Sequence, residues 1–159
     1  MFKNILLATD GSAASDSAAQ LAVTLAAQDR SRLTVLYVID PYPYLGIGEA
    51  SVVGFQGYMS NAYEHAAQAH DRVSALCAAA AGPIDLMLRR GEDASAAQEI
   101  VRIAVEEDAD LIVVGSHGRT GISRLVVGSV AAKVVAASPV PVLVARQKGD
   151  SPLIRKELP

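Results

Sequence analysis

The feature that most constrains the fold is a pair of short apolar runs in which hydrophobic and polar residues do not alternate. Residues 110–115 read DLIVVG and residues 141–145 read PVLVA. A strand with one face in solvent alternates apolar and polar side chains, whereas a strand buried on both faces is apolar throughout. The two runs therefore predict strands of a parallel sheet that helices cover on both faces.

Three further strands and four helices are predicted in the rest of the chain. The strands fall at residues 3–9, 32–39 and 84–88. The first predicted helix begins after Ser12, and the second occupies residues 59–81. The third runs from Ser95 to about Glu107, and the fourth ends near Ala137. Residues 41–57 are rich in glycine and proline and are predicted to form a long, mobile loop with no assigned role.

This order of elements predicts the fold class. Five strands alternating with four helices indicate an α/β domain with one doubly wound parallel sheet, right-handed crossovers and helices on both faces. Ligands of such domains bind beyond the carboxyl ends of the strands. The strand order does not follow from the alternation alone. Ser95 with Gln98 additionally predicts a capping box at the start of one helix.

Length and composition narrow the function classes. A chain of 159 residues fits one domain, predicted at residues 1–147 with a flexible polar tail at 148–159. The net charge of −3 gives no electrostatic reason to expect nucleic acid as a partner. No apolar run reaches the length of a membrane span, so a soluble, cytoplasmic protein is expected. The single cysteine, Cys77, excludes an internal disulfide and is expected to be an inert, buried thiol.

A glycine motif follows the predicted strand at 110–115. Gly115 and Gly118 are followed, after nine residues, by Gly128 and Ser129, where the next helix can start. Glycines let the backbone approach phosphates closely, and a helix start offers unpaired N–H groups and a partial positive charge. The motif predicts an anion site. The alternative is that these glycines serve only turns and helix packing.

Charged residues near this motif fit a phosphorylated ligand. His117, Arg119 and Arg124 give the loop a local positive balance, and Arg119 is either a phosphate contact or a solvated loop residue. Asp10, at the carboxyl end of the first strand, is expected to accept ribose hydroxyls or to help hold Mg²⁺. The alternative for Asp10 is an N-cap of the following helix. The spacing of His65 and His70 does not suit a metal, so no metal site is predicted.

Several enzyme classes lack their sequence signatures. No Gly-x-Gly-x-x-Gly follows the first strand, and there is no Gly-x-x-x-x-Gly-Lys-Ser/Thr, so NAD binding and a conventional P-loop do not fit. There is also no Gly-x-Ser-x-Gly nucleophile elbow. Binding accounts for more of these residues than turnover does, and no catalytic residue is assigned.

The chain resembles the universal stress protein family and, within it, the ATP-binding branch, whose signature is Gly-x-x-Gly, nine residues, Gly-Ser/Thr. Gly115, Gly118, Gly128 and Ser129 match that signature. The resemblance runs from KNILLATDGS at residues 3–12 to VPVLV at residues 140–144. It implies a parallel sheet of order 3-2-1-4-5, as in adenine nucleotide alpha hydrolase-like folds, with the first and fourth strands adjacent.

The resemblance also implies a set of ligand contacts. Ala8, Thr9 and Asp10 would border the nucleoside, and the Val38 backbone would meet adenine. The remaining contacts would surround the phosphates: Gly115, His117, Gly118, Arg119, Gly128, Ser129 and Val130. ATP is the implied cofactor, with Mg²⁺ held through its phosphates.

The family further implies a homodimer formed through the last strand. Val140, Val142 and Val144 supply an apolar edge there, although the tail could cover it instead. The prediction is a stress-response protein in which ATP occupancy regulates a dimer or an unidentified partner. The alternatives are a nucleotide-independent interaction module of the same fold and a weak Mg²⁺-dependent ATPase that uses Asp10 and Ser129.

Overall fold

The sheet has five parallel strands in the order β3-β2-β1-β4-β5, which confirms the predicted fold class and the implied strand order. The computed structural model describes residues 1–41, 52–117 and 127–146. The strands are β1 (Asn4–Ala8), β2 (Arg32–Ile39), β3 (Asp85–Glu92), β4 (Leu111–Gly115) and β5 (Val142–Ala145). The helices are α1 (Ala13–Asp29), α2 (Val52–Ala78), α3 (Ala96–Glu106) and α4 (Ser129–Ala137).

Two elements extend beyond their predicted bounds. Helix α2 begins at Val52, inside the segment that was predicted to be loop, because Phe55 and Tyr58 pack against a cluster that includes Tyr37 and Ile39. Strand β3 continues past Leu88 to Glu92 because its backbone pairs with β2 along the whole length of that strand. Residues 42–51 of the predicted loop lie outside the described residues, as does the tail.

The three central strands, β1, β2 and β4, are buried on both faces, as the apolar run at 110–115 predicted for β4, whereas the edge strand β5 is mostly half-buried. On one face, Ile5, Leu7 and Val113 pack with the alanines of α1, and part of α2 joins this cluster. On the other face, Leu6 and Ile112 pack with apolar residues of α3 and α4. None of the helices in the described ranges is long and apolar enough to cross a bilayer.

The pairing of β1 with β4 creates the feature that positions the candidate site. Ala8 lies beside Val114 in the register of these two strands. Beyond Ala8 the chain turns into α1, which packs on one face, whereas the chain beyond β4 leads to α4, which packs on the other face. Connections that leave adjacent parallel strands toward opposite faces open a crevice at the carboxyl end of the sheet.

Side-chain caps begin two of the helices. Ser12 is the N-cap of α1 and accepts the Ser15 amide, so the alternative that made Asp10 the cap is wrong. Ser95 is the N-cap of α3 and accepts the Gln98 amide at 3.4 Å. Only this half of the predicted capping box is present. The Ser95 amide donates to the Asp93 carboxylate and not to the side chain of Gln98.

Strand β3 approaches α3 so closely that a side chain at Gly91 would collide with Glu99. A Cβ atom built on Gly91 would lie 2.6 Å from both Cγ and Oε1 of Glu99. Glu99 is buried and is held by two hydrogen bonds of 2.8 Å from Arg102. The carboxylate therefore has little freedom to move away.

We expect Gly91→Ala to lower the free energy of unfolding by about 1–3 kcal/mol through this overpacking. Urea denaturation followed by circular dichroism measures the change. The matched control is Gly57→Ala in α2, where an added Cβ meets nothing within 4 Å. Removing a helical glycine there should raise stability by up to about 1 kcal/mol. Equal stability of the two variants would contradict the packing argument.

Candidate functional site

A crevice of about 180 Å³ opens at the carboxyl ends of β1 and β4. One wall is apolar and consists of Leu36 and Val38 from β2, Val114 from β4, and Ile100 from α3. These side chains belong to or pack against the core cluster on the α3 and α4 face of the sheet. The wall can therefore accept a flat apolar group such as a heterocyclic base.

The turn between β1 and α1 forms the polar side of the crevice. The Thr9 hydroxyl lies 3.0 Å from the Ser15 hydroxyl and accepts the Gly11 amide at 3.2 Å. The Asp10 carboxylate accepts the Ser12 amide at 2.9 Å through Oδ1. Thr9, Asp10 and Ser15 all line the crevice. The turn and the start of α1 thus present a carboxylate and two hydroxyls that are held by local hydrogen bonds.

The ends of the glycine loop meet opposite this turn. The Gly128 amide donates to the Ser116 carbonyl oxygen at 2.7 Å, which joins the start of α4 to the end of β4. The Ser116 hydroxyl lies 2.9 Å from Nδ1 of His117. A close approach favours glycine at position 115, because a Cβ there would lie 3.1 Å from the Ala14 carbonyl oxygen.

The start of α4 points its first turn at the crevice. Gly128 is the N-cap residue and has no side chain to cap the helix, and Ser129, Val130 and Ala131 line the crevice. The first N–H groups of a helix lack intrahelical partners and carry a partial positive charge. This end of the crevice is therefore suited to an anion, and the Ser129 hydroxyl adds a hydrogen-bonding group.

The described residues that were predicted from the sequence lie around this one crevice. Two of the predicted residues, Gly118 and Arg119, lie outside the described residues. The predicted residues that line the crevice are Ala8, Thr9, Asp10, Val38, Gly115, His117, Gly128, Ser129 and Val130.

The sequence reasoning missed part of the crevice lining. Leu36 precedes Val38 by two residues on the same strand face, so its spacing could have identified it, whereas Ile100 lies on α3, where no site residue was predicted. Ser15 follows the cap Ser12 and was not recognised as a partner of Thr9.

A second cavity of about 230 Å³ adjoins the apolar wall. It shares Val38, Ala96 and Val130 with the crevice and is also lined by Asp40, Asp93 and Lys133. The apolar end of the crevice therefore leads to charged residues rather than to a closed core.

Other residues with reactive side chains lie outside the crevice. Within the described ranges, no group of three His, Cys, Asp or Glu side chains could hold a metal ion. His70 is buried in α2, and burial lowers the pKa of its imidazole. Cys77 packs beside the core, and burial raises the pKa of its thiol, which disfavours the reactive thiolate.

The family model described as "Universal stress protein family" matches residues 1–146. A universal stress protein of Thermus aquaticus is 36% identical over 149 residues, which cover 92% of this chain and 100% of the relative.

Solved structures show the same fold. A universal stress protein from Lactobacillus plantarum superposes with a TM-score of 0.77 at 28% identity, covering 91% of this chain and 97% of that one. A universal stress protein solved in complex with cAMP superposes with a TM-score of 0.61 at 23% identity, over 91% and 97% of the two chains. The latter likeness concerns the fold alone.

Proposed function

We propose that this chain, which belongs to the universal stress protein family, binds an adenine nucleotide in the crevice between β1 and β4. The proposed nucleotide is ATP in particular. The observation that carries the proposal is the combination of an apolar wall with a helix start that has no side-chain cap. A nucleotide matches this combination because its base is flat and largely apolar and its phosphates are anionic. A protein with this fold was solved in complex with cAMP, which is itself an adenine nucleotide.

Each end of the nucleotide has a distinct set of contacts in this proposal. The adenine ring lies on the wall that includes Val38, whose backbone contacts the edge of the base. Asp10 accepts hydrogen bonds from the ribose hydroxyls. The phosphates bind at the start of α4, where Ser129 and the backbone amides donate to them. The predicted contacts of Gly118 and Arg119 with the phosphates remain part of the proposal.

Mg²⁺ enters this proposal with the nucleotide. It would be held mainly by the phosphate oxygens, as is usual for this cation, with Asp10 as the nearest carboxylate of the turn. We further propose that occupancy of the crevice regulates a cytoplasmic dimer or partner protein by favouring one arrangement of the loops around it.

Calorimetric titration of MgATP into protein freed of co-purified nucleotide tests the binding proposal. We expect micromolar affinity for the wild type and a loss of about tenfold or more in Asp10→Ala, because a charged hydrogen-bond acceptor is removed. The matched control is Asp16→Ala, which removes an exposed carboxylate from the first turn of α1. It should bind like the wild type.

A second ligand identifies what Asp10 contacts. 2′,3′-Dideoxy-ATP lacks the ribose hydroxyls and should bind the wild type about tenfold more weakly than ATP, whereas Asp10→Ala should not distinguish the two nucleotides. Absence of nucleotide binding by the wild type would contradict the proposal and favour a nucleotide-independent interaction module.

We also propose that two copies of the chain associate through β5. This strand lies at one edge of the sheet, and Val140, Val142 and Val144 are only partly buried against the core. An edge strand of this kind presents backbone hydrogen-bonding groups and apolar side chains to a second copy. Cover by the C-terminal tail is the competing arrangement.

Sedimentation velocity distinguishes these arrangements. We expect a dimer for the wild type and a monomer for Val142→Lys, since an inward-facing charge at an edge disfavours strand association. The matched control is Val135→Lys on α4, where the valine is 53% exposed, and this variant should remain dimeric. A monomeric wild type would rule out the dimer.

A further inference from the structure

The peptide unit between Gly11 and Ser12 is held on both sides. Its N–H group, which belongs to Ser12, donates to Oδ1 of Asp10 at 2.9 Å. Its carbonyl oxygen, which belongs to Gly11, accepts a hydrogen bond from Nη2 of Arg72 at 2.5 Å. Arg72 lies on α2, 61 residues further along the chain. A single peptide plane therefore links this arginine to the carboxylate that lines the crevice.

Helix α2 lies directly against this turn. Gly11 has a φ of +72°, and a Cβ there would lie 2.8 Å from Nη2 of Arg72 and 3.3 Å from Cβ of Ala69. Glycine adopts this conformation without a steric penalty, and its lack of a side chain leaves room for the guanidinium. Glycine at position 11 thus permits both the positive φ and the close approach of Arg72.

The hydrogen bond from Arg72 to Gly11 affects the orientation of the Gly11–Ser12 peptide plane more than the stability of the fold. Arg72 is exposed, and an exposed hydrogen bond contributes little to the free energy of folding. Rotation of the Gly11–Ser12 peptide plane, however, would move the Ser12 amide away from the Asp10 carboxylate. Arg72 does not line the crevice itself, so any effect on a ligand must pass through the turn.

We propose that Arg72 is a positioning residue of the nucleotide site. It fixes the Gly11–Ser12 peptide plane so that the Ser12 amide holds Asp10 in the orientation that accepts the ribose hydroxyls. This inference rests on the proposed function, and it adds a residue that neither the glycine motif nor the lining of the crevice identifies. It also connects α2 to the occupancy of the site.

The test compares ATP with 2′,3′-dideoxy-ATP in the wild type and in Arg72→Met, which keeps the aliphatic stem and removes the donor. We expect ATP to bind the variant about five- to tenfold more weakly, while the affinity for the dideoxy nucleotide stays the same. If Arg72 had a purely structural role, the substitution would weaken the binding of both nucleotides equally. The midpoint of urea unfolding should change little.

Two further variants complete the experiment. Arg72→Lys keeps a charged donor and should recover part of the preference for ATP. Arg32→Met removes one positive charge from an exposed ion pair with Asp85 at the other end of β2, and should bind both nucleotides like the wild type. Should the methionine variant fail to fold, Arg72→Gln carries the same comparison, because its amide ends short of the Gly11 carbonyl.

The outcomes separate the two proposals. A wild type that binds no adenine nucleotide overturns the proposed function and this inference together. A wild type that prefers ATP, with Arg72→Met showing the same affinity and preference, overturns the role of Arg72 alone. An equal loss of affinity for the two nucleotides in Arg72→Met also overturns the role of Arg72. Equal affinity of the wild type for the two nucleotides overturns it as well.

Discussion

The parallel pairing of β1 with β4 is the constraint on which the rest of the structure depends. It places Ala8 beside Val114 and so brings together two turns that are about one hundred residues apart in the sequence. Because α1 and α4 pack on opposite faces of the sheet, a space remains between the two turns, and the first residues of both helices line it. The crevice is a consequence of this connectivity, and its chemistry depends on the residues that follow each strand.

The polar side of the crevice is organised by short local hydrogen bonds. Thr9, Asp10 and Ser12 each bond within the turn, and Arg72 joins it from α2. On the opposite side, the bond between Gly128 and Ser116 brings the start of α4 to the end of β4. A ligand in the crevice would contact groups already held in place, which lowers the entropic cost of binding.

The elements predicted correctly from the sequence are those whose residue types indicate a buried strand. Strand β2 was predicted at its observed bounds because it is rich in β-branched residues and is followed by Asp40 and Pro41. Strand β3 was predicted too short because it lies at a sheet edge, where Arg89 and Arg90 remain compatible with backbone pairing. The strand order could not be derived from the alternation of elements and came from the family resemblance.

The same distinction applies to the candidate site. Glycines and charged residues at strand ends identified the polar side of the crevice, because their conformational and chemical properties are local. Leu36 could have been found from its spacing to Val38, but Ile100 in the apolar wall resembles an ordinary core residue in the sequence. Arg72 could not be predicted, since its contact with Gly11 depends on how α2 packs against the sheet. Long-range packing accounts for what the sequence did not reveal.

The most direct test of the central claim is an NMR titration of ¹⁵N-labelled protein with MgATP, because it locates the ligand residue by residue. We expect the largest amide shifts in the turn after β1 at Thr9 and Asp10, at Val38, and at the start of α4 at Ser129 and Val130. Shifts concentrated elsewhere, for example along the outer edge of β3, or no shifts at millimolar nucleotide, would contradict the central claim.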